Sequence, residues 1–165
     1  MDTPLPGPRR SAIELRRILV PVDLSANSVQ ALHYAMELAE QVNAAVIVLH
    51  IAQLNIAGEK RGVPRDRVPN EWDEATRRKL HKLIDELGTQ AAVTQVVIGT
   101  GRPHEEIVEQ AREADVGLII LAERRHTGWR RIFGSHTKSR VLRYAPCPVL
   151  VLPEAETDAP DYILF

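Results

Sequence analysis

ILVPVDLSANS, residues 18–28, is the stretch whose reading decides the fold. Ile18 to Val22 is short, uncharged and rich in β-branched residues, as a buried strand is, and Pro21 stands near its end, where a missing N–H is tolerated. Asp23, Ser25, Asn27 and Ser28 then offer several helix caps. Ala31, Leu32, Ala35, Leu38, Ala39 and Val42 follow at three- and four-residue spacing, which predicts a helix with one apolar face up to about Gln41. The run Ala44 to Ile51, with His50 inside it, is continuous and β-branched, favouring a second interior strand over further helical turns. Strand, helix, strand is the crossover unit of a parallel sheet.

The unit repeats outward. Residues 53–70 carry Gly58, Gly62, Pro64 and Pro69 among charges and keep no period, so they form a long loop. Glu71 to Leu87 is helical, with Gly88 as its stop. Thr94 to Ile98 is a third strand. Gly99 to Pro103 turns the chain into a helix that has Pro103 in its first turn, Glu105 and Glu106 near its amino end, and Ile107, Val108, Ala111 and Ala114 on its inner side. Asp115 opens Val116 to Leu121, the most apolar strand candidate; a helix over Ser135 to Tyr144 and a fifth strand, Pro148 to Leu152, complete the domain. Five strands alternating with four helices predict a doubly wound, mostly parallel α/β sheet with helices on both faces. In such a sheet the ligand crevice lies beyond the carboxyl ends of the strands, where adjacent crossovers leave in opposite directions.

Composition agrees. At 165 residues the chain suits one domain, and with two Trp, three Tyr and two Phe its core must be aliphatic. Lys and Arg number 21 against 22 Asp and Glu, so no net field selects nucleic acid or a membrane as partner. A single cysteine, Cys147, excludes an internal disulfide and fits a reducing cytosol; it reads as a small buried hydrophobe rather than a reactive thiol. Residues 1–14, with three prolines, read as a loose arm without the apolar segment of a signal peptide. Residues 154–165 read as an acidic tail whose end, Tyr162 to Phe165, has the apolar character to dock on an exposed patch. No apolar stretch approaches a membrane span.

Several chemistries lack their motifs. No GxxxxGK[ST] phosphate loop occurs, and no GxGxxG follows the first strand. HExxH, CxxC and zinc-ligand clusters are missing, as is a GxSxG elbow. The groups left at the expected crevice are Pro21 to Ser25, Ile51 and the chain from Ala122 onward. Asp23 suits ribose hydroxyls, and equally suits the capping of the helix that follows. Residues 124–143 hold Arg124, Arg125, Arg130, Arg131, Lys138, Arg140 and Arg143 without an acid. Gly134-Ser135 at a helix start can present N–H groups and a hydroxyl to phosphate, or serve only as a turn and cap. Trp129 within that basic stretch gives RNA little support on a near-neutral domain.

Taken together, ILVPVDLSANS at 18–28, VIVLHIA at 46–52, GRPHEEIVEQA at 101–111, and GLIILA, RHTGWRRIFGS and RVLRYAPCPVLVLP within 117–153 resemble the universal stress protein family. The resemblance spans residues 15–153. It implies strand order 3-2-1-4-5, a homodimer, a cytoplasmic location and a role in surviving stress. Nucleotide-binding members carry Gly, two residues, Gly, nine residues, Gly and then Ser or Thr. Here Ala122 and Arg125 stand at the first two glycine positions, and Gly134-Ser135 matches the last pair after eight residues. The resemblance places Pro21, Val22 and Asp23 at the adenosine, Ile51 at the adenine, and Gly134, Ser135 and His136 at the phosphates. An Arg at the second glycine position takes up volume near a triphosphate, whereas Arg124 and Arg125 can neutralise its charge.

Three functional readings follow. The first is a non-enzymatic stress-response factor with weak or absent ATP binding; the second binds ATP or AMP through Asp23 and Gly134-Ser135; the third is an enzyme with slow ATP hydrolysis. No catalytic or metal-binding residue can be named. The partner expected is a second copy, joined through Val149, Leu150, Val151 and Leu152, an uncharged edge strand bracketed by prolines.

Overall fold

The computed structural model describes residues 15–52, 70–88, 93–123 and 135–153. Five strands, β1 (Arg17–Pro21), β2 (Ala45–Ala52), β3 (Val93–Thr100), β4 (Leu118–Ala122) and β5 (Val149–Leu152), alternate with four helices. These are α1 (Ala26–Val42), α2 (Asn70–Leu87), α3 (Pro103–Glu113) and α4 (Ser135–Tyr144). The sheet runs β3-β2-β1-β4-β5 and every pairing is parallel. At its centre Ile18 pairs with Leu118 and Leu19 with Ile119, the pairing on which the crevice assignment depends.

Alternation along the central strands divides the core in two. Ile18, Val20, Val46, Val48 and Ile120 meet Ala31, Leu32, Ala35 and Met36 of α1 and Leu80, Leu83 and Ile84 of α2. Leu19, Ile47, Leu49, Ile119 and Leu121 point the other way, toward Ile107 and Ala111 of α3 and Val141 of α4. This is the double winding that the hydrophobic pattern predicts: crossovers toward β3 cover one face, and those toward β5 cover the other. Cys147 packs at the rim of the second core, and burial pushes its thiol pKa up, as suits a small apolar side chain.

Element ends differ from the sequence reading where local conformation intervenes. β3 continues through Gly99 and Thr100, which pair with Ile51 and Ala52. Gly99 fits because the Glu106 carboxylate lies over it, and a Cβ there would come within 2.8 Å of an Oε atom. The turn then falls at Gly101, whose φ of +133° favours glycine. β4 starts at Leu118 rather than Val116, because the Val116 N–H closes the end of α3 on Ala111 and Asp115 is left-handed at φ +46°. Asn43, also left-handed, ends α1 with its N–H on the Ala39 carbonyl.

Candidate functional site

The crossovers leave β1 and β4 toward opposite faces, so the switch point lies between the β1–α1 turn and the exit of β4. Each side has its own hydrogen bonding. On the β1 side the ladder extends one residue past the strand, with the Val22 N–H on the Leu49 carbonyl at 2.8 Å. His50 bonds the Val22 carbonyl through Nδ1 at 2.7 Å, and since a carbonyl only accepts, Nδ1 carries the proton.

Asp23 does not cap α1 directly. Ser25 is the cap, its hydroxyl accepting from the Ser28 N–H, and Asp23 Oδ1 in turn accepts from both the N–H and the hydroxyl of Ser25. The buried Ser28 hydroxyl completes the turn by accepting from the Asp23 N–H and donating to the Ser25 carbonyl. This mesh holds Leu24 at φ +62°, a conformation uncommon for a side chain of its size. A half-buried carboxylate is thereby fixed at the mouth of the switch point.

On the β4 side Glu123 is held at three points. Its N–H donates to the Leu152 carbonyl at 2.7 Å, its carbonyl accepts from Asn27 Nδ2 at 3.3 Å, and its carboxylate pairs with Lys138 in α4. The Asn27 bond crosses the switch point from the first turn of α1 to the exit of β4. Polar contacts also join α4 to α3. Arg140 donates to His104 Nε2 at 3.0 Å, and Arg112 donates to the Tyr144 carbonyl at 3.3 Å. Burial, and next the Arg140 charge, lower the His104 pKa.

The structure therefore brings Asp23 and Ala122 half-buried to adjoining strand ends, with Ile51 buried on the α3/α4 face. Pro21 and Val22 lie buried beneath the turn. His136 is exposed in the first turn of α4, which begins at Ser135. Arg124, Arg125 and Gly134 lie outside the described residues, as do the 53–69 loop, the arm and the acidic tail. Val149, Leu150, Val151 and Leu152 form the half-buried edge strand β5. Sequence reasoning did not single out Glu123 or His50. Their signals were an acid directly after the most apolar strand, and a histidine inside an otherwise apolar one. Among the described residues no group of three His, Cys, Asp or Glu side chains converges as a metal would require, and no helix is long and apolar enough to cross a membrane.

The model of the universal stress protein family matches residues 14–153, and the chain belongs to that family. It is 25% identical over 147 residues to the universal stress protein MJ0531 of Methanocaldococcus jannaschii, covering 87% of this chain and 85% of the relative. Among solved structures, the hypothetical protein PH0823 is 30% identical with a TM-score of 0.58, over 87% of this chain and 99% of that one. The universal stress protein from Archaeoglobus fulgidus in complex with dAMP is 22% identical with a TM-score of 0.58, over 82% and 96% of the two chains.

Proposed function

We propose that this universal stress protein is a ligand-controlled stress-response factor that binds an adenine nucleotide at the switch point without turning it over. The observation that carries the reading is that β2, β1 and β4 lie side by side and end at Ile51, Asp23 and Ala122, the place where open α/β sheets hold ligands. Asp23 takes the ribose hydroxyls, Ile51 flanks the base, and the amino end of α4, which begins at Ser135 and carries the exposed His136, takes the phosphate. The weak or absent binding expected from the broken glycine pattern yields to this alternative, because a relative of the same fold is known in complex with dAMP.

Calorimetric titration with AMP and ATP tests the proposal. One saturable site per chain is expected, weakened in Asp23→Asn by roughly ten-fold, a ratio equivalent to about 1.4 kcal/mol. Asn is chosen over Ala because its Oδ1 still accepts from Ser25, so that α1 keeps its cap. The absence of saturable heat from either nucleotide would refute the proposal.

We also propose that the partner is a second copy paired through β5. At the opposite edge, Arg77 donates to one carbonyl of β3, that of Val96, at 2.9 Å. β5 is four apolar residues at the other border of the sheet. Two copies related by a two-fold axis satisfy that edge through one self-complementary patch. Sedimentation equilibrium should give a dimer at micromolar concentration, and Val151→Lys should weaken it about a hundred-fold by setting like charges near the axis. A monomeric wild type, or a dimer indifferent to the lysine, would remove β5 as the interface.

A further inference from the structure

The sheet is not paired evenly at its centre. β1 pairs with β2 from Arg17 to Pro21, and β4 with β5 from Ile119 to Ala122. Between β1 and β4, among the described residues, the register covers only Ile18–Leu118 and Leu19–Ile119. The cause lies in the sequence. Val22 gives its N–H to Leu49 of β2, and the Arg17 carbonyl accepts from Gly117 on the β4 side, so the odd-numbered residues of β1 address β4. After Leu19 the next of these is Pro21, which has no N–H to donate. The two central strands therefore lose their ladder toward their carboxyl ends, where the crevice lies.

Asn27 spans this gap. Its Nδ2 donates to the Glu123 carbonyl at 3.3 Å, joining residues 96 apart in the chain. Both ends of the bond are fixed. Asn27 stands in the first turn of α1, behind the Ser25 cap, on a helix sunk in the core by Leu32, Ala35 and Met36. The Glu123 N–H is bonded to the Leu152 carbonyl, which ties this residue to β5.

We propose that Asn27 is the positioning residue of the switch point: one side-chain amide, in place of the missing ladder, holds the exits of β1 and β4 at the separation that a ligand requires. Its role toward the ligand rests on the nucleotide-binding reading above, whereas the tie between the strands does not. A crevice already held at its bound width spares the ligand the cost of ordering it. Asn27 acts through the strand ends and is not required to touch the ligand.

Two variants of the full chain test this. Asn27→Ala removes the donor and adds no charge. Asn27→Asp keeps the shape, and a carboxylate in the first turn suits α1, but it sets an acceptor against the Glu123 carbonyl; it separates the tie from the stability of the helix. Without ligand, amide exchange at Glu123 should quicken in both variants by roughly three- to ten-fold, the range that the loss of one hydrogen bond allows, while the amides of Leu32 and Ala35 keep their rates. AMP affinity of Asn27→Ala, measured by calorimetry, should fall by roughly the same factor. Exchange at Glu123 unmoved in both variants, or AMP affinity in Asn27→Ala equal to that of wild type, overturns the inference and leaves nucleotide binding intact. A wild type that binds neither AMP nor ATP overturns the nucleotide reading, and this role with it.

Discussion

The two faces of the sheet are held down differently. On the α1/α2 face Ala31, Leu32, Ala35, Met36 and Ala39 sink one long helix into the core, and Leu80, Leu83 and Ile84 anchor the other. On the opposite face α4 buries Val141, while Leu142 and Tyr144 are about half exposed at 51% and 49%. The docking of α4 draws heavily on polar contacts: Lys138 with Glu123, Arg140 with His104, and Arg112 with its carboxyl-terminal carbonyl. Apolar burial is non-directional and indifferent to pH, whereas these contacts depend on geometry and, at His104, on a proton. The helix whose start faces the proposed phosphate is thus held by fewer buried apolar side chains than α1 on the other rim.

The largest effect that would sharpen this contrast comes from the apolar anchors. Leu32→Ala, at a fully buried position of α1, should cost about 2–5 kcal/mol of global stability, and Val141→Ala roughly 1.5–3 kcal/mol. Denaturant unfolding measures both. The difference should also show locally: in Val141→Ala, amide exchange should accelerate in α4 well before α1, because a weakly anchored helix opens without the whole domain. Uniform acceleration in the two helices would make the faces one cooperative unit and break the comparison.

These contrasts explain what could be read from the chain. Hydrophobic period and turn residues made the five strands, four helices and double winding legible, because buried strands such as Ile18 to Val22 and the stripe Ala31-Leu32-Ala35 repeat with the period of their secondary structure. Strand order came from the resemblance. Asp23 was legible as a residue at the right place, with capping and ribose contact both open. Only three-dimensional packing showed its partner to be Ser25, which itself caps α1. Glu123 left no periodic trace, since its partners Asn27, Lys138 and Leu152 are set by topology. The continuation of β3 through Gly99 and Thr100 likewise depended on their pairing with Ile51 and Ala52 of β2.

The smallest expected effect concerns the titratable contact of the α3/α4 face. His104 Nε2 accepts from Arg140, which requires an unprotonated nitrogen, and Arg102 adds a second cation nearby while Glu105 opposes them in part. Burial and the Arg140 charge hold its pKa below the ordinary value near 6.5. In the window between that value and the lower folded pKa, the unfolded chain binds a proton that the folded one does not. Stability therefore rises with pH across the window. The contribution is fully present above about pH 6.5 and is lost as pH falls toward the folded pKa. His104→Gln keeps an acceptor for Arg140 without the titration, so carboxylates elsewhere act equally on both proteins and cancel in their difference. Unfolding midpoints measured from about pH 7 to about pH 5 should fall further in wild type than in the variant, with α4 amides exchanging faster at the acid end. Superimposable profiles would mean that the α3–α4 contact does not feel the proton, and that polar docking leaves this face no more responsive than its aliphatic counterpart.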